Sequence, residues 1–222
     1  MIEAVDLFCG VGGLTAGLRN KGIRVRAGYD IDAACAFPYE ENNGAEFVLK
    51  DVADVTADEI LSRYTTGSTR LLAGCAPCQP FSTYNQGRDT KSDRKWPLLD
   101  QFARLIKETH PDLVTMENVP DVTKHEVYHR FVAALQTGPK PYHVWAGTVS
   151  CVDYGLPQRR KRHVLLASKL GPIDLIPPTH ADTHVVQRMN DLPQRVVLHR
   201  LNQLLEYIAP VPRGALQHLE TI

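Results

Sequence analysis

Short apolar runs alternate along this chain with segments of helical periodicity, and this alternation constrains the fold more than any other feature. Ala4–Phe8, Arg24–Tyr29, Arg70–Ala73, Leu113–Met116 and His163–Ala167 read as strands. Leu14–Lys21 (stopped by Gly22), Ala57–Tyr64, Leu98–Thr109 and Glu126–Gln136 read as helices. The third of these sets Leu98, Leu99, Phe102, Leu105 and Ile106 at helical spacing. Parallel strands need a crossover, usually a helix, so the alternation predicts an α/β domain with a mostly parallel sheet. Ligands of such sheets bind outside the carboxyl ends of the strands. The loops after Phe8, Ala73 and Met116 hold the unusual residues.

Composition bounds the rest. With 222 residues, 43% of them hydrophobic, the chain can bury one core and is too apolar to be disordered. Without an apolar run of about 18 residues, no membrane span is expected. The start, Met1-Ile2-Glu3-Ala4-Val5-Asp6, lacks the pattern of a secretory signal. Five cysteines, an odd count, point to free thiols in a reducing compartment, hence the cytoplasm. Lys+Arg and Asp+Glu each total 25, so any nucleic-acid surface must be local. One such stretch is Pro80–Trp96, a long polar segment with Arg88, Lys91, Arg94 and Lys95. After Leu175 the texture changes. Ile176–His180 reads as a linker, and Val196–Ala209 as an amphipathic helix with Val197, Leu198, Leu201, Leu204, Leu205 and Ile208 on one stripe. The expected division is therefore 1–175 and 176–222.

Three segments carry chemistry. Asp6-Leu7-Phe8-Cys9-Gly10-Val11-Gly12-Gly13 ends a strand and opens a helix, a place where backbone can approach a ligand closely. Thr15 stands where the dinucleotide fingerprint has its third glycine, so the segment misses that pattern and reads equally as a tight turn. Asp30 ends the second strand where a carboxylate can accept from ribose hydroxyls, while Asp32 reads as the cap of a helix from Ala33. Asp51 offers a third strand-end carboxylate. In Gly74-Cys75-Ala76-Pro77-Cys78-Gln79-Pro80-Phe81-Ser82, three readings compete. Zinc lacks a second ligand pair, so no metal is expected. A Cys-x-x-Cys redox pair would want its second cysteine in a helix, and the residues after Cys78 form a poor one. The third reading is one nucleophilic thiol, Cys78, on a loop beside a cofactor pocket.

The chain resembles the DNA cytosine-5 methyltransferases. Asp6–Gly13 looks like that family's cofactor motif and Pro77-Cys78-Gln79 like its nucleophile motif. Glu117-Asn118-Val119 looks like its catalytic acid motif, and Gln158-Arg159-Arg160-Lys161-Arg162 like its Gln-x-Arg-x-Arg motif. The resemblance covers about Met1 to Leu175. It implies a Rossmann-like fold, S-adenosylmethionine as cofactor, and a flipped DNA cytosine as target, in a restriction-modification system or as an orphan enzyme. Cys78, Glu117, Arg160 and Arg162 are then the catalytic set. Phe8, Gly10, Gly12, Gly13, Asp30, Ile31, Asp51, Val52, Pro80 and Leu98 are the implied cofactor contacts. Ser82, Arg88, Lys91 and Gln158 are the implied DNA contacts. The chemistry is coherent, because a thiolate added to carbon 6 of cytosine makes carbon 5 nucleophilic.

The family's target-recognition region and its closing Asn-Ser segment are not recognisable between Ile176 and Ile222. A split subunit needing a second polypeptide, a truncation and a degenerate relative all accommodate this. An RNA cytosine methyltransferase and an inactive binding protein are the alternative functions.

Overall fold

The computed structural model describes residues 1–77, 97–156 and 158–180. Seven strands form one sheet: β1 (Ile2–Leu7), β2 (Arg24–Asp30), β3 (Glu46–Leu49), β4 (Thr69–Gly74), β5 (Leu113–Asn118), β6 (His143–Ser150) and β7 (Lys161–Ser168). Their order is β3-β2-β1-β4-β5-β7-β6. The first five run parallel, whereas β7 is antiparallel to both β5 and β6. The expected mostly parallel α/β sheet is therefore present. The helices are α1 (Gly13–Asn20), α2 (Ala36–Asn43), α3 (Ala57–Arg63), α4 (Pro97–Thr109) and α5 (Glu126–Gln136).

Strands buried on both faces carry near-continuous apolar runs, which is why β1, β4, β5 and β7 were the runs that stood out. Val5, Leu7, Leu72, Val114, Met116, Leu165 and Ala167 face one layer, packing with Ile60 of α3, Phe102 and Leu105 of α4, and Phe131 and Leu135 of α5. Ala4, Val25, Leu71, Ala73 and Leu113 face the other, with Leu14 and Leu18 of α1. Val164 and Leu166 belong to a smaller cluster with Val149 and Tyr154.

Three elements were weakly marked in the sequence, α2 only by the helix expected from Ala33 and β3 only by the strand end expected before Asp51. Helix α2 holds Pro38 in its first turns and buries only Tyr39 and Asn43. Strands β3 and β6 lie at the two sheet edges, where solvent takes one side and the apolar pattern thins. The segment from Asp32 begins as a single 3-10 turn, with Asp32 accepting from the Ala34 N–H at 2.9 Å as its expected cap. Strand β1 stops one residue before Phe8, whose φ is +57°. Among the described residues, no helix is long and apolar enough to cross a membrane. The stripe at Val196–Ala209 lies outside the described residues.

Candidate active site

Two corners form where the parallel strands end. The first lies over β1, β2 and β3. After Leu7 the chain turns through Phe8 and Gly10 (φ +51°) to Gly12 (φ +91°), which precedes the first residue of α1, Gly13. Phe8 is half-buried against the main core in a left-handed conformation that side chains rarely adopt, at a cost on the order of 1 kcal/mol. Gly12 cannot carry a Cβ, which would lie 2.1 Å from Asn43 Nδ2 and 2.9 Å from Tyr39 Cδ2. A Cβ on Gly10 would meet nothing within 4 Å, so this turn faces open space.

Asp30, at the end of β2, closes the corner. Its carboxylate accepts from the Gly10 N–H at 2.8 Å and from the Asp32 N–H at 3.0 Å. Ile31 is 69% exposed, an apolar side chain without cover. Lys50 donates its N–H to the Asp30 carbonyl at 2.9 Å, which brings the next loop alongside. There Asp51 accepts from the Ala53 N–H at 2.9 Å. The Val52 side chain is in the core, so only its backbone could meet a ligand. Arg104 of α4 donates to the Val52 carbonyl at 3.3 Å, holding α4, with half-buried Leu98 near its start, against this loop. These residues fit S-adenosylmethionine, offering close backbone, a strand-end carboxylate and a bare apolar surface.

The second corner lies over β4, β5 and β7. Side chains alternate between faces along a strand, so Cys75 follows Leu71 and Ala73 onto the α1 side of the sheet, and Glu117 follows Leu113. Gly74 is in register with Met116, which sets Cys75 level with Glu117 on the neighbouring strand. Arg162 reaches Glu117 from β7, with Nε donating to Oε1 at 2.6 Å. Cys75 is half-buried on the same face, and the Glu117 carboxyl adds to the rise that burial imposes on its thiol. Burial raises the proton affinity of Glu117 above the usual carboxylate range, against the opposing pull of Arg162 and Arg160. Arg160 has a buried Nε without a partner, and Arg159 points to solvent. Gln158 sits half-exposed in the turn before β7, its carbonyl accepting from the Arg160 N–H at 2.8 Å.

Two contributions were not singled out from sequence. Asn118 is buried and donates from Nδ2 to the Ala76 carbonyl at 3.3 Å, tethering the chain that leads to Pro77. Its place inside Glu117-Asn118-Val119 was the available signal. The other is Asp6, on the α1 side of β1. It accepts from the Thr15 hydroxyl at 2.7 Å, and Oδ1 is buried without a partner. Burial pushes its carboxyl up to about 7, with the Asp30 charge adding to the effect and Thr15 opposing it.

Cys78, Pro80, Ser82, Arg88 and Lys91 lie outside the described residues. Each described cysteine has a thiol raised above its ordinary range: Cys9, Cys35 and Cys75 by burial first, and Cys151, up to about 11, likewise by burial. None of these four is poised as a thiolate.

The comparisons agree with this geometry. The family model "C-5 cytosine-specific DNA methylase" matches residues 2–211. The chain belongs to that family. It is 47% identical over 185 residues to the type II methylase M.HgiDII of Herpetosiphon aurantiacus, a match covering 81% of this chain and 51% of that protein. It is 31% identical over 196 residues to the type II methyltransferase M.XorII of Xanthomonas oryzae, covering 85% of this chain and 46% of that protein. The chain thus spans about half the length of the curated relatives it matches. Among solved structures, Schizosaccharomyces pombe Dnmt2 methyltransferase superposes with a TM-score of 0.62 at 20% identity, over 76% of this chain and 51% of that one. Entamoeba histolytica methyltransferase EhMeth superposes at 0.62 and 19%, over 82% and 58%. These likenesses establish the fold.

Proposed function

We propose that this protein takes part in methyl transfer from S-adenosylmethionine to carbon 5 of cytosine in DNA, within a restriction-modification setting. The observation that carries the reading is the Glu117 carboxyl, part-buried at a strand end and gripped by Arg162 at 2.6 Å. Burial raises its proton affinity, which favours a carboxyl that carries a proton and gives it to a ring nitrogen.

The Cys78 thiolate adds to carbon 6 of the base while Glu117 gives its proton to nitrogen 3. The cofactor, when bound, supplies an electrophilic methyl group. Carbon 5 takes the methyl, releasing the demethylated cofactor as a thioether. A solvent base then takes the carbon 5 proton, nitrogen 3 returns its proton to Glu117, and the Cys78–carbon 6 bond breaks to release the thiolate. Arg162 orients Glu117 and, by resemblance, binds the carbonyl oxygen of the base. Arg160, with a free buried Nε, suits an anionic partner at the same corner. Phe8, Gly10, Gly12, Gly13, Asp30, Ile31, Asp51, Val52, Pro80 and Leu98 would hold the cofactor, with Asp30 at the ribose. Ser82, Arg88, Lys91 and Gln158 would meet the DNA.

The target atom is unreachable inside a stacked duplex, so the base must leave the stack. The DNA reading is preferred to the RNA reading because the matched family is that of C-5 cytosine-specific DNA methylases. Reading a defined sequence needs base-edge contacts. We propose that a second polypeptide supplies them, since 176–222 offers one apolar stripe and few basic residues, a composition that a truncation or a degenerate relative accommodates as well.

Methyl transfer from labelled cofactor to DNA and to RNA tests the proposal, with the chain alone and with a complementing polypeptide. Label in 5-methylcytosine of DNA is expected. Label confined to RNA, or cofactor binding with no transfer in any combination, would overturn it. The chain alone should bind DNA weakly, with a steep salt dependence. Methylation of one defined site by the chain alone at roughly one per second or faster would contradict the second polypeptide.

A further inference from the structure

Tyr39 of α2 occupies a place that two glycines keep open. A Cβ on Gly28 of β2 would clash with its hydroxyl and ring, and a Cβ on Gly12 would lie 2.9 Å from its Cδ2. The ring is fully buried and packs edge-on against Phe47, their centroids 5.7 Å apart, in a cluster with Cys9 of the glycine-rich turn. Its hydroxyl lies 3.0 Å from Thr15 Oγ1 in the first turn of α1. Thr15 gives its only hydroxyl proton to Asp6 Oδ2 at 2.7 Å, so Tyr39 donates to Thr15 and not the reverse. All three side chains are buried, and together they join β1, α1 and α2. Phenylalanine and valine would fill nearly the same space without burying a hydroxyl, so the two oxygens set geometry and not volume.

We propose that Tyr39, acting through Thr15, is a positioning residue for the cofactor turn: the hydroxyl chain from Tyr39 to Asp6 fixes the start of α1, and with it the Gly12–Gly13 backbone, against β1. The inference rests on that turn holding S-adenosylmethionine, as proposed above. Helix α1 needs such an anchor. Its N-cap is Gly12, which has no side chain to cap it and leaves the backbone least restrained. Gly10 and Cys9 are tied elsewhere, their N–H groups donating to the Asp30 carboxylate at 2.8 Å and the Tyr29 carbonyl at 3.1 Å. These bonds hold the front of the turn on β2 and leave its α1 end to the hydroxyls. Asn43, four residues after Tyr39, donates from Nδ2 to the Tyr39 carbonyl at 2.9 Å and stands directly behind Gly12.

The test separates seating from stability. In the 222-residue chain, calorimetry reads affinity for S-adenosylmethionine, and amide exchange followed by NMR reads local opening without any ligand. Thr15→Val deletes the hydroxyl at nearly constant volume. It is expected to weaken cofactor affinity roughly tenfold, and to speed exchange of the Ala16 N–H, which donates to the Gly12 carbonyl at 2.9 Å, by a similar factor. The Gly10 N–H, held by Asp30, should exchange as in wild type. Thr15→Ser keeps the hydroxyl and should hold both readouts within about twofold of wild type. Leu18→Ala, in the same helix and packed in the core with Ala4 and Val25, destabilises the fold without touching the hydroxyls and should leave cofactor affinity near wild type.

Wild-type affinity in Thr15→Val, wild-type exchange at its Ala16, equal losses in Thr15→Ser or Leu18→Ala, or acceleration of every amide alike would each overturn the proposal. Should Thr15→Val not fold, Tyr39→Phe decides, because it deletes one oxygen and keeps the ring. Faster exchange at Ala16 with Gly10 unchanged is then expected, whereas wild-type rates at both would refute the positioning role. A wild-type chain that binds no S-adenosylmethionine would end the cofactor reading, and the exchange pattern would still decide whether the hydroxyls seat α1, so the two failures give different results.

Discussion

The two strand-end corners are built differently. The corner at β1–β2 is closed by backbone: Gly10 donates to Asp30 across 20 residues, Asp32 donates to the same carboxylate, and Gly12 packs directly on α2. The corner at β4–β5–β7 is closed by a side-chain ion pair between separated segments, Arg162 to Glu117, with Cys75 level with Glu117 on the neighbouring chain segment. A turn held by its own backbone keeps its shape when a side chain is truncated nearby. A side-chain cluster does not, because each member leaves another buried and uncompensated. The first corner suits holding a cofactor. The second suits proton transfer, which depends on the charge state of its members.

The largest expected effect falls on the side-chain corner. Glu117→Gln keeps the shape and removes the proton, and should lower methyl transfer by roughly 10²- to 10⁴-fold. Its affinity for S-adenosylmethionine, read by calorimetry, should stay near wild type. A matching loss of cofactor affinity would erase the distinction between the corners.

Gly12→Ala attacks the backbone corner. The added Cβ meets Asn43 and Tyr39 in a left-handed residue, so both crowding and strain apply. Chemical denaturation should show a loss of roughly 2–4 kcal/mol. A stable variant would mean that α2 shifts freely and the corner is softer than its contacts suggest.

Asp30→Ala is milder. It removes the acceptor for two N–H groups and the proposed ribose contact. Cofactor affinity should drop by about 1–3 kcal/mol, roughly 5- to 150-fold, with little change in the titration of Glu117. Binding of NAD but not S-adenosylmethionine by the wild-type chain would contradict the cofactor assignment.

The smallest effect is a pH dependence. Asp6 has a raised carboxyl, up to about 7 against an ordinary 3.8, because it is buried. The folded state therefore holds a proton that the unfolded chain releases. This favours folding most below about pH 4 and fades as pH rises through about 7. Thermal melts should show a Tm falling between pH 5 and 8, and Asp6→Asn should flatten that fall by on the order of 5 °C. A Tm rising over that range in wild type, and unaltered by the substitution, would show that Thr15 outweighs burial.

The same contrast explains what could be read from the chain. The Gly-rich turn and Asp30 are local, and residue type declares them: glycines where φ is positive and a carboxylate at a strand end. Central strands announced themselves through apolar runs on both faces, whereas edge strands β3 and β6 did not. The Glu117-Asn118-Val119 segment and the arginines at the start of β7 were legible through motif resemblance. Their union was not, because it depends on β7 inserting antiparallel beside β5 and bringing Arg162 back to Glu117. Nor was the place of Cys75 level with Glu117 legible, since nothing in its sequence neighbourhood distinguishes it from the first half of a redox pair. Register across β4 and β5 supplies that assignment.

The central claim is that the side-chain corner performs covalent chemistry on cytosine through Cys78. DNA carrying 5-fluorocytosine tests it most directly, because fluorine at carbon 5 blocks the final loss of a proton and leaves the thioether in place. The protein, with S-adenosylmethionine and a complementing polypeptide where needed, is incubated with this DNA, digested and mapped by mass spectrometry. An adduct on Cys78, absent in Cys78→Ser, is expected. An adduct on Cys75, or a reversible Cys75–Cys78 disulfide with no adduct under any condition, would contradict the account.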